Sequence, residues 1–243
     1  MISIFKKELY QLYSSAIGYI IMSVFIIVVG LFLWVFRDTS ILSGNVATLD
    51  QLFFMAPYLF LFLIPSITMA SISEEFQSGT TEIIFTKPIT IGQFLAGKYL
   101  AYILLLLFLV LLTLTHYYSL NQLASPIGNI DHGSIIGSYA GMFLLGCSFT
   151  SIGIFGSSIA RSQVAAFIIS LFLCFLCYWG MYYISRLSMF SGSVDSFIEK
   201  MGMEYHYISL SRGVIEIADV GYFVFIILLF LSLSHITLKR RLS

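Results

Sequence analysis

An all-α integral membrane protein with six transmembrane helices is the fold class that this sequence predicts, and three observations predict it. Hydrophobic residues fill 59% of the 243 positions and charged residues only 10%, against about 25% charged in soluble domains. Six apolar runs are each long enough, at 1.5 Å per helical residue, to cross about 30 Å of hydrocarbon. The basic residues gather on alternate connections between these runs. Equal numbers of basic and acidic residues, 12 of each, exclude an electrostatic nucleic-acid binder.

The chain opens with Ile2, Phe5, Leu9 and Leu12 at helical spacing, opposed by Lys6, Lys7, Glu8 and Gln11. This pattern predicts an amphipathic helix lying in the membrane interface with its polar face outward. It serves either as a plain anchor or as an elbow beside a docking surface. The spans follow at 16–36, 52–72, 99–120, 135–159, 164–184 and 222–238. The first, at 21 residues, is too long for a secretory h-region, and no small-x-small site follows it. With both termini inside, the cytoplasmic basic set is Lys6, Lys7, Lys87, Lys98, Arg161, Lys239, Arg240 and Arg241. The outer set is Arg37, Arg186, Lys200 and Arg212. Eight against four gives an N-in, C-in topology by the positive-inside rule.

Pro57 and Pro65 in the second span each remove a backbone hydrogen bond and invite a kink. The third span is a near-continuous leucine run expected to face lipid. The fourth carries Gly146, Thr150, Gly153 and Ser157 along one face, with Gly137 and Gly141 nearer its start. Such a face admits a closely packed helix, from the same subunit or from another. Between the fifth and sixth spans, two apolar stripes predict a pair of amphipathic helices on the outer side. One is Phe190, Val194, Phe197 and Met201, and the other Tyr207, Leu210, Val214 and Ile217, with Asp219 capping the last span.

The most informative stretch is 74–98, EEFQSGTTEIIFTKPITIGQFLAGK, on the cytoplasmic side between spans two and three. Gly79 ends the preceding helix. Thr80 or Thr81 caps a new one, and Glu82 in its first turn suits the positive helix end. Pro88 disfavours helix at Lys87, and Thr90 with Gln93 forms a capping box for the next helix. The outcome is a short helix over 80–86, held between two breaks.

Enzymatic readings fare poorly, and no catalytic or metal-ligating residue is assigned. Ser158 and His235 sit in spans four and six, as in rhomboid proteases, but Ile159 replaces the last glycine of that family's G-x-S-G. Gly92, Gly97 and Lys98 approach a phosphate-binding loop, yet Tyr99 stands where the magnesium-binding hydroxyl belongs. Cys174 and Cys177 form a C-x-x-C inside an apolar run and read as packing residues. Within the spans only His116 and His235 are ionisable, both near span ends, and no carboxylate is expected there to mark an ion-coupled carrier.

Glu74-Glu75, Gly79-Thr80, Glu82, Pro88-Ile89 and Gly97-Lys98 resemble the cytoplasmic loop of type-2 ABC exporter permeases. Phe76-Gln77 depart from the pattern, since relatives often carry basic residues there. Together with 139–165 and 206–222, the loop looks like that of the gliding-motility-associated ABC permeases of Bacteroidota. The resemblance implies a multi-pass protein of the inner (cytoplasmic) membrane with no ATPase of its own, whose ATP and Mg are bound by a separate ABC ATPase subunit. It also implies a second permease, either a larger relative or a second copy. ATPase coupling would fall to Gly79, Thr80, Thr81, Glu82, Ile83, Ile84, Phe85, Lys87 and Pro88. Ile83, Ile84 and Phe85 would enter an apolar cleft, with Glu82 and Lys87 at its rim. A charge at Phe85 would then cost docking and leave folding intact. Glu74 and Glu75 would form ion pairs steadying the N-terminal elbow. The competing class is a membrane scaffold that anchors an ATPase complex without moving a substrate.

Overall fold

The computed structural model describes residues 1–42, 47–187, 193–213 and 215–242. These form α1 (Ile2–Ser14), α2 (Ala16–Gly30), α3 (Asp50–Thr68), α4 (Ala70–Gln77), α5 (Thr80–Phe85) and α6 (Ile91–Leu123). After them come α7 (His132–Ile159), α8 (Gln163–Phe175), α9 (Met181–Ser185), α10 (Ser193–Glu199), α11 (Met203–Ser211) and α12 (Ile217–Leu242). Widened π-helical turns at Leu31–Val35 and Leu176–Gly180 extend α2 and join α8 to α9. No strand occurs among the described residues.

Six helical stretches are long and apolar enough to cross a membrane: Gly18–Val35, Asp50–Gln77, Ile91–Leu123, His132–Ile159, Gln163–Ser185 and Ile217–Leu242. Several outrun the apolar runs that predicted them, because a helix stops at its caps and not where hydropathy falls. Thr90 and Gln93 close a reciprocal capping box at the start of α6. Asp131 accepts from the Ser134 amide at 3.1 Å to begin α7, and Ser162 accepts from the Ala165 amide to begin α8. Asp219 does not cap the last span. It lies within the first turn of α12, where its Oδ1 meets His206 Nδ1 at 2.7 Å.

Both termini lie at one end of the bundle, here the terminal end, because α1 and the end of α12 each bind the neighbourhood of α4. The opposite loop end holds α10 and α11. Leu210 of α11 is buried against Gly141 of α7 and Tyr207 is buried with its hydroxyl on the Phe53 carbonyl of α3, whereas Val194, Phe197, Met201 and Ile217 are exposed. The described residues of the first predicted outer stripe therefore face away from the protein. Phe190 and Val214 lie outside the described residues.

α7 is the central pillar, with 78% of its most apolar window buried. Its small residues admit neighbours of the same chain. A side chain at Gly146 would meet Leu106 of α6, one at Gly153 would meet Thr68 of α3, and one at Gly141 would meet Leu210. Thr150 returns its hydroxyl to the Gly146 carbonyl. α6 is buried along one side through Leu105, Leu106 and Leu109 and exposed along the other, so only half of its leucine run is available to lipid.

The tightness of this packing gives a first prediction. A Cβ at Gly153 would lie 2.1 Å from Thr68 Oγ1, which is itself bonded to the Ile64 carbonyl. Gly153→Ala is expected to destabilise the protein by about 1–3 kcal/mol through overpacking. Adding Thr68→Ala should return part of the loss in a thermal-unfolding series.

Candidate functional site

The stretch between α3 and α6 builds a compact structure at the terminal end. Gly79 adopts φ +69°, a left-handed conformation in which an L side chain is strained, and so turns the chain from α4 into α5. Neither Thr80 nor Thr81 acts as the cap. Gly79 holds that position, the Thr80 hydroxyl reaches back to the Glu75 carbonyl at 3.3 Å, and Thr81 is buried. The helix ends at Phe85, and Thr86, Lys87 and Pro88 form the exposed exit.

The three apolar residues of α5 do not share one direction. Ile83 is 65% exposed, flanked by exposed Glu82 and Lys87. Ile84 and Phe85 are half-buried, and the Phe85 ring lies 5.5 Å from that of Phe94 in α6. The expectation that all three enter a partner meets an unequal exposure in the chain itself. Two of them hold α5 to its own protein, leaving Ile83 as the outward apolar contact.

Behind α5 lies an ionic cluster of which the sequence showed only the Glu75 arm. Glu8, read from its helical face as pointing outward, is buried. Its Oε1 meets Lys98 Nζ at 2.5 Å. Lys98 is only 1% exposed, also donates to the Ser71 carbonyl at 2.5 Å, and lies 3.0 Å from Glu75 Oε1. Lys7 meets the same Glu75 oxygen at 2.5 Å from the surface side. Two cations thus face two carboxylates, and the neutral sum is what makes burial tolerable. Of the two acids expected to steady the first helix, Glu75 does so. Glu74 makes no ion pair among the described residues.

Gly97 explains how α1 approaches. A side chain there would meet the Met1 carbonyl at 3.0 Å and Ile4 at 3.1 Å. The Gly97-Lys98 pair therefore seats α1 with one residue and neutralises it with the next. A sequence signal for Glu8 existed: Ile4, Glu8 and Leu12 recur every four residues, and it is this line that turns inward.

α4 is also tied to α7. Span two breaks between α3 and α4 at Met69, one turn after Pro65. Ser157 of α7 enters the break. Its hydroxyl accepts from the Ile72 and Ser73 amides, both at 3.0 Å, and donates to the Met69 carbonyl at 2.9 Å. Prolines and inserted hydroxyls are the recognised causes of such breaks. Ser157, read as one small residue on a packing face, thus also bridges the two halves of the second span.

The positions that depart from the resembled loop receive the end of the chain. Arg241 lies 4.9 Å over the Phe76 ring while its guanidinium donates to the Ile159 and Ala160 carbonyls at the end of α7. Gln77 donates to the Arg161 carbonyl at 2.9 Å. A cation from α12 thus stands over α4, and it also satisfies open carbonyls at a helix C-terminus.

The assembly is a short exposed helix fastened by rings, ion pairs and a serine to α1, α3, α6 and α7. A family model described as ABC-2 family transporter protein matches residues 2–233 of the chain. No curated protein matches it.

Proposed function

Because this chain belongs to the ABC-2 transporter family, we propose that it is the exporter-type, gliding-motility-associated permease whose α5 receives force from a separate ATPase. As a family member it is a multi-pass membrane permease component of an ABC transporter, a class that works with an ABC ATPase subunit. The observation that carries the coupling role is the form of α5. It is a six-residue helix isolated by a left-handed glycine and a proline, with Ile83 outward between Glu82 and Lys87. An exposed aliphatic anchor ringed by charge suits a partner cleft that is apolar inside and polar at its edge.

In this reading the terminal end faces the cytoplasm and the membrane is the inner one, as the eight-to-four basic bias supports. ATP and Mg are held by the partner. ATP-driven closure of two motor subunits presses α5, and movement passes to α4 through the Gly79 turn and to α6 through Phe85 and Phe94. A second permease, a larger relative or another copy, completes the pathway. The chain itself catalyses no reaction.

The test is reconstitution in liposomes with the ATPase and second permease. The expected result is ATP hydrolysis stimulated by the permease pair, with ATP-dependent movement of a lipid-linked, glycan or peptide cargo. Stimulated hydrolysis without flux of any of the three would overturn export and leave a mechanical scaffold. Absence of stimulation would overturn the coupling role itself.

A further inference from the structure

At the loop end, away from the coupling site, two clefts of about 560 and 490 Å³ share Glu204, Ile208 and Arg212. Glu204 Oε2 is buried without a hydrogen-bond partner among the described residues. Arg212 is exposed and makes no ion pair among them. A carboxylate and a guanidinium that border the same space without pairing leave both charges available to a ligand.

One of the two clefts has an aromatic wall. Trp179 lies 4.9 Å from Tyr58 and 4.6 Å from Tyr178, ring centre to ring centre. Trp179 and Tyr178 belong to the π-helical turn Leu176–Gly180, a widened turn of the kind frequently found at functional sites. Asp50 borders one cleft, and Glu199 and Glu216 the other. Four carboxylates against one guanidinium favour a cationic group, and the aromatic faces suit an ammonium in particular. The single guanidinium offers a forked donor to a phosphate. Burial, with Glu199 nearby, raises the Glu204 carboxyl above its ordinary range, while a hydrogen bond from Trp179 pulls it back. An arriving ammonium would relieve this cost.

We propose that this groove binds a zwitterionic headgroup, with its ammonium on the open Glu204 Oε2 beside the Trp179–Tyr58 wall and its phosphate on Arg212. The groove lies at span ends rich in Trp and Tyr, the depth at which headgroups reside. A phospholipid and a free phosphorylated amine share this chemistry. The proposal does not rest on the coupling reading, since binding needs neither ATP nor the ATPase.

The experiment uses the full chain in detergent micelles. Of its two tryptophans, Trp34 is replaced by phenylalanine so that Trp179 fluorescence reports alone. Dihexanoyl phosphatidylethanolamine is expected to shift the emission saturably, and dihexanoyl phosphatidylglycerol, which lacks the ammonium, to bind at least about tenfold more weakly. Glu204→Gln and Arg212→Gln should each weaken the first titration by about tenfold. Competition by phosphoethanolamine at similar concentration identifies a soluble ligand, and its failure to compete identifies a lipid. Equal response to both lipids, or no saturable shift, overturns the proposal. Exposed Arg212 decides the matter if Glu204→Gln does not fold, and a parental titration by Arg212→Gln also overturns it.

Discussion

Lys98→Met is expected to remove about 3–5 kcal/mol of folding stability, the cost of leaving a buried carboxylate without its counter-charge. Glu8 is the group stranded. Its remaining cation, Lys7, stands 3.9 Å away, whereas Glu75 keeps Lys7 at 2.5 Å. Glu8→Gln should cost far less, because Lys98 retains Glu75 at 3.0 Å and the Ser71 carbonyl. The double variant Glu8→Gln with Lys98→Met should recover much of the single loss, since buried pairs replaced by neutral groups are often near neutral in effect. Thermal unfolding of the four proteins in detergent checks this. Equal costs for Lys98→Met and Glu8→Gln would contradict the assignment of Glu8 as the stranded charge.

The second large effect separates docking from folding within one short helix. Ile83→Asp is expected to lower ATPase affinity by about 30-fold or more, the loss of a central apolar anchor of about 2 kcal/mol or greater. Its effect on the melting of the isolated chain should be slight, within about 0.5 kcal/mol, because Ile83 is 65% exposed. Phe85→Asp should behave differently. Its ring packs 5.5 Å from Phe94, so the charge damages the chain before any partner arrives. Co-purification of the ATPase and thermal melting, measured on both variants, separate the effects. ATPase retention by folded Ile83→Asp would remove α5 as the docking element.

The helical class and the six spans were legible because hydrocarbon demands long apolar runs, and composition reports these directly. The short α5 was legible because glycine and proline act through local backbone geometry. Its sidedness was not. Over six residues, Ile83, Ile84 and Phe85 are consecutive, and which of them turns inward depends on where Phe94 of α6 stands. Glu8 and Lys98 escaped for a related reason. Each reads singly as a surface charge, and only the fold places them together across 90 residues of sequence. Ser157 was visible as a small residue, but its three hydrogen bonds depend on a break in another span. Extensions such as Ile91–Leu123 beyond 99–120 were hidden because apolarity measures the membrane's share of a helix, not the helix itself.

The break that Ser157 occupies divides the second span into unequal arms. At 1.5 Å per residue, the 19 residues of α3 extend about 28 Å to one side and the 8 residues of α4 about 12 Å to the other. Arms that turned together about Met69 would trade force for travel by a factor of about two. A shift of about 1 Å beside α5 would become about 2 Å at Asp50, which borders the aromatic groove at the far end. On the proposed coupling role the span would be geared for reach, with one serine as its bearing.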